Sequence, residues 1–200
     1  MASETEERVL EIAKSAGAIR PRDLDRHGVA RKYLNILFHK GLLDRVDRGL
    51  YACRDTDVSA NVGLALAAKR VPHGVICLLS ALQFHEIGTQ NPHEVWIAID
   101  PKAHRPRVGY PPLRIVRFSG EALTEGVKQY RIEGIPVRIC TPAKTVADCF
   151  KYRNKIGLDV AIEALKDCLQ NRKCTRGQLL HYARICRVTE VMRPYLEAVS

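Results

Sequence analysis

Between Val29 and Ala52 the chain leaves few options for folding. A run with apolar residues at Leu34, Leu37, Phe38 and Leu42 has helical spacing and meets a glycine stop at Gly41. Two short apolar segments follow, residues 42–46 and 49–52, and they meet at Asp47-Arg48-Gly49. Asp47 and Gly49 are residue types that a tight turn needs for backbone reasons. Helix, glycine stop and hairpin with no slack between them is how a winged helix-turn-helix presents a reading helix and a wing to DNA.

The residues upstream complete that unit. Glu6 to Ala16 carries Val9, Leu10, Ile12, Ala13 and Ala16 at spacings of three and four, which predicts a first helix. Pro21 to Arg26 predicts a short second helix with Leu24 facing inward, and Gly28 supplies a permissive backbone for the turn after it. In the third helix, about Ala30 to Lys40, Leu34, Leu37 and Phe38 point inward. Arg31, Lys32, Asn35, His39 and Lys40 then lie on or near the outward face. Arginine and asparagine can contact guanine and adenine edges through two hydrogen bonds, so Arg31 and Asn35 are expected on bases and Lys32 on phosphate. Arg45 and Arg48 flank the wing tip, placed for phosphates or the minor groove. Tyr33 fits either the core or a sugar-phosphate contact.

Charge divides the chain unevenly. Residues 1–55 hold 11 Lys/Arg against 9 Asp/Glu, whereas the rest holds 21 against 13, so most of the net +10 lies beyond the reading helix. Such an excess favours a polyanion or an acidic protein partner. The expected organisation is α+β: a winged helix-turn-helix over residues 1–55, then a mixed α/β domain over residues 60–200 with a small sheet and a helical C-terminal tail. Residues 62–71 and 75–87 read as helices, the second apolar on most sides and so buried. Strands are expected at Glu94–Asp100, Leu113–Phe118 and Ile135–Cys140, with a short edge strand near Val127–Ile132. Helices are expected from Thr141-Pro142, at 158–169, at 175–186 and at 188–199.

One loop stands out. Pro101 to Pro112 holds prolines and a glycine that exclude regular structure, together with Lys102, His104, Arg105 and Arg107. Arg114 and Arg117 on the following strand extend this basic patch, which suits a phosphate backbone or an acidic partner surface.

Chemistry is harder to find. The sequence has no phosphate-binding glycine loop, zinc-protease helix or nucleophile elbow. Seven cysteines occur without a Cys-x-x-Cys pair, which predicts reduced thiols, with Cys77, Cys149 and Cys168 as small buried hydrophobes. No catalytic residue, metal site or cofactor is expected. Glu94 and Asp100 with Lys102 could form a nuclease-like metal set, but Asp100 before a proline turn has its own backbone reason. Asp148 is expected to pair with Arg138 or Lys144. No membrane span and no secretory signal are read, so a cytoplasmic location is expected.

The order of parts resembles the AbiEi family of antitoxins from type IV toxin–antitoxin systems, which are bacterial phage-defence modules. The resemblance runs through the helix Glu7–Ala16, Tyr33-Leu34 to Leu42, and the wing Arg45 to Tyr51. It continues through Leu79-Ser80-Ala81-Leu82, the strand Glu94-Val95-Trp96-Ile97, and the helix start Thr141 to Asp148. It implies a repressor of its own operon that binds inverted repeats in double-stranded DNA, with Arg31, Lys32, Asn35, Arg45 and Arg48 in the reading helix and wing. It also implies a C-terminal domain that counters a nucleotidyltransferase-like toxin without a tight complex. The chain is expected to be a monomer in solution that pairs on DNA. The competing readings are a protein-interaction module, favoured if the outward face of helix 30–40 proves covered, and the metal-dependent nuclease.

Overall fold

The computed structural model describes residues 4–16, 19–47, 49–53, 61–106, 108 and 110–199. Three helices open the chain: α1 (Glu4–Ala16), α2 (Pro21–Asp25) and α3 (Lys32–His39). They lead into the antiparallel pair β1 (Leu43–Asp47) and β2 (Leu50–Cys53). Ile19 adds a bridge to Tyr51, so a third short strand position lines the hairpin. Val9, Ala13, Ile19, Leu24, Leu34, Leu37, Leu43 and Tyr51 fill one apolar cluster. Proline at the start of α2 sets its first turn, and the Asp23 carboxylate accepts the Arg20 backbone N–H at 2.9 Å. Gly49 has φ +67° with open space beside it, a backbone reason for glycine in the wing turn.

After residue 61 come α4 (Val62–Arg70), β3 (Val75–Ile76), α5 (Leu78–Phe84), β4 (Val95–Ile99) and β5 (Leu113–Arg117). Next are α6 (Glu121–Thr124), β6 (Val127–Ile132), β7 (Ile135–Cys140), α7 (Pro142–Lys151) and α8 (Arg153–Ile156). The chain finishes with α9 (Leu158–Gln170), α10 (Arg176–Ile185) and α11 (Thr189–Ala198). The five strands order as β5-β4-β3-β7-β6 in one mixed sheet. β4 runs parallel to β5 and β3 parallel to β7, while the β3–β4 and β6–β7 pairs are antiparallel. Helix α4 lies against β3, β4, β6 and β7, and α7 is the hub that α5, α8, α9, α10 and α11 pack around. The architecture is mixed α/β, as the sequence led one to expect. Among the described residues no helix is long and apolar enough to cross a membrane.

Two expectations need correction. Residues 75–87 are not one helix: Val75 and Ile76 form the central strand β3, and α5 begins only at Leu78. A fully apolar run has no period to separate strand from buried helix, and the open ladder between β4 and β7 decided it. Phe38 is not inward but 38% exposed, its ring edge-on to Tyr51 at 6.2 Å. The one-turn helices α6 and α8 carry too few residues to show a period and were not foreseen.

The hairpin touches both parts of the chain. Tyr51 and Cys53 face the N-terminal cluster, while Leu50 and Ala52 face Val62, Leu66 and Tyr110. Alternation along one strand thus supplies both contacts. All seven cysteines are buried, and burial raises the Cys77 and Cys149 thiols well above their ordinary values.

Candidate nucleic-acid interface

Helix α3 exists because Leu34 and Leu37 bury one stripe against α1 and β1, which leaves the other face to solvent. On that face Arg31, Lys32, Asn35 and His39 are all exposed. The rest of the described chain therefore does not cover this face. These side chains are held by neighbours rather than waving free. Arg31 gives its Nε (2.9 Å) and one terminal nitrogen to the two carboxylate oxygens of Asp25 in α2. The hydrogen bonds from Arg31 hold the Asp25 carboxyl below its ordinary value, and the carboxylate raises Arg31 in turn. That fork is occupied, so a base contact from Arg31 falls to the remaining Nη1 edge or requires exchange of partner.

Asn35 is positioned from the wing. The Tyr51 hydroxyl donates to Asn35 Oδ1 at 3.0 Å, which fixes the amide and leaves its N–H donors for a base. Lys32 lies 5.7 Å from the Tyr33 ring centroid, and His39 packs edge-on to Phe38 at 5.5 Å. Tyr33 itself is half-buried against the N-terminal cluster. Lys40 is spoken for: its ammonium reaches both oxygens of the buried Glu6 at 2.7 and 2.9 Å and ties α3 to α1. Arg45 is exposed on β1, opposite Tyr51 in the ladder. Arg48 and Arg107 lie outside the described residues.

The second basic region divides by role. Lys102 and Arg105 are exposed on a loop without ion-pair partners among the described residues; the Lys102 backbone N–H donates to Asp100 Oδ1 at 2.8 Å. Arg117 Nη1 donates to the carbonyls of Asp100 and Ala103, both at 2.6 Å, so this side chain clamps the start of the loop. Arg114 sits 5.5 Å from the Trp96 ring centroid and 4.0 Å from Glu94, with most of its side chain in solvent. Glu94 and Asp100 flank opposite ends of β4, roughly 20 Å apart at the strand rise, and so cannot share one metal ion. Asp148 pairs with Lys144, and Arg138 instead donates to the His73 carbonyl at 3.3 Å. Sequence reasoning missed Asp25 and Tyr51 as positioning partners, because each lies on a different element from the side chain it holds.

The exposed face of α3 thus carries polar side chains oriented from α2 and from the adjoining β1–β2 hairpin. Residues 7–53 match the model of the family described as transcriptional regulator, AbiEi antitoxin. No curated protein sequence matches the chain. The fold resembles the crystal structure of RV2827C protein from Mycobacterium tuberculosis, with a TM-score of 0.62 and 14% identity. That likeness covers 91% of this chain and 72% of the other, and at such identity it speaks for the fold alone.

Proposed function

We propose that the chain is a sequence-specific DNA-binding repressor of its own operon, and the antitoxin of a type IV pair whose toxin is nucleotidyltransferase-like. In this reading α1–α3 and the β1–β2 hairpin are a winged helix-turn-helix over residues 1–55, and residues 60–200 form the antitoxin domain with its basic surface. The observation that carries the reading is the exposed, partner-oriented face of α3, in the segment that matches the AbiEi regulator family. Arg31 and Asn35 contact bases, Lys32, His39 and Arg45 the backbone, and Lys102 and Arg105 add phosphate contacts. Arg48, Arg107 and Arg114 join them by sequence position, and Arg117 acts by holding the loop. The DNA is a pair of inverted repeats, on which two monomers meet.

The test is a gel-shift titration over the upstream region at several salt concentrations. Specific retention is expected, with Arg31→Ala or Asn35→Ala costing about 1–3 kcal/mol and relaxing sequence preference. Reversing Lys102 and Arg105 should weaken every duplex alike and lower the salt slope by about 0.9 for each lost phosphate contact. Retention equal to that of random duplex would overturn the proposal.

A further inference from the structure

Away from α3, the turn between β5 and α6 and the C-terminal ends of α7 and α10 enclose a cleft of about 480 Å³. Lys151, Arg184 and Arg187 stand exposed around it, and none has an ion-pair partner among the described residues. Arg117 and Ser119 complete one wall. The floor is Asp148, whose two oxygens each take a contact of 2.6 Å from the buried Lys144 ammonium, while the Cys186 thiol donates to Oδ1 at 3.2 Å. That carboxylate is already neutralised and does not offset the rim. Glu121 is the one other acidic residue lining the cleft.

We infer that this cleft binds a compact phosphate-bearing ligand. Three unpaired cations around one concavity call for a multiply charged anion, and a phosphate group concentrates such charge where guanidinium forks meet it with paired hydrogen bonds. Cations in the last turns of α7 and α10 also offset helix dipoles. That role needs no shared cleft, and Arg187 lies past the end of α10. Its backbone holds φ +58°, the left-handed region that favours glycine, while its N–H caps Arg184 at 3.0 Å. A free phosphorylated small molecule fits better than a nucleic-acid backbone, because the cations converge on a pocket rather than track along a surface.

The experiment is isothermal titration of the full chain with inorganic pyrophosphate, repeated with Arg184→Gln and Arg187→Gly. Arg187→Gly removes the cation while suiting its left-handed backbone, and an unchanged melting curve assigns lost binding to the cation rather than to unfolding. One saturable site is expected, with each substitution lowering affinity roughly tenfold, the equivalent of one charge-assisted contact. A duplex gel shift with the same variants should be unchanged. Absence of saturable binding, or binding indifferent to both substitutions, overturns the inference. Parallel loss of duplex affinity also overturns it, by assigning the cleft to a nucleic-acid backbone.

Discussion

Arg31–Asp25 and Lys144–Asp148 are both cation–carboxylate pairs with two contacts each, but their side chains are 63% and 45% exposed in the first and 0% and 3% in the second. The first joins α2 to the start of α3, where water screens it and an external anion can compete for the guanidinium. The second lies within α7 at the hub of the helical cluster, beneath the Phe118 ring at 4.8 Å. Burial opposes charge on both of its members. It leaves Asp148 above its ordinary value, whereas the carboxylate and nearby thiols outweigh it at Lys144 and raise that group instead, so the proton rests on the amine. The same chemistry therefore orients a surface in one place and fixes a core in the other.

The sharpest way to break this contrast is to remove one member of the buried pair. Asp148→Ala leaves an uncompensated ammonium and is expected to cost about 3–5 kcal/mol in urea unfolding. Lys144→Met with Asp148→Leu should recover most of that loss. A single substitution as mild as a surface change would mean that the pair is solvated and the contrast false.

His85 tests the intermediate case. Its Nε2 donates to the Cys140 carbonyl at 2.7 Å, a bond that favours the charged ring. Burial lowers its pKa despite that bond, and Lys173 and Lys128 add to the lowering. A depressed folded value means that its contribution is complete above the ordinary value of about 6.5 and is lost as pH falls through the folded one. Stability should decline on acidification in that window, and His85→Gln should flatten the slope. An identical slope in the variant would assign the decline to other groups.

Smaller effects are expected at the exposed face of α3. Tyr51→Phe removes one hydrogen bond and should cost about 0.5–1.5 kcal/mol of stability. In the gel shift it should loosen preference at the base under Asn35, since the amide loses its orienting partner. Unchanged specificity would make the Tyr51 contact merely structural. Asp25→Asn is expected to leave the urea midpoint where it was, while freeing the Arg31 fork and changing DNA affinity. A clear fall in stability would show that this pair, too, acts in the core.

Much of the architecture was legible in the sequence. The α1, α3 and β1–β2 order, four strands of the larger sheet and its late helices all follow from periodicity bounded by glycine and proline. The outward set Arg31, Lys32, Asn35 and His39 followed too, because helical spacing fixes which side chains share a face. Phe38 failed because the sequence shows that it is apolar but not that the apolar stripe ends at Leu37. The Val75–Ile76 strand failed because uniform apolarity carries no period.

What the sequence determined by itself was local: which segments are helix or strand, which face of α3 is polar, and where charge accumulates. Tertiary structure alone decided the partners. It brought Asp25 to Arg31, Tyr51 to Asn35 and Glu6 to Lys40, turned Arg117 inward to its loop carbonyls, and gathered Lys151, Arg184 and Arg187 around one cleft. The physical reason is that periodicity arises from the backbone of one element. A hydrogen bond or charge cluster between elements depends instead on how their buried faces pack, and that information is spread over residues far apart in the chain.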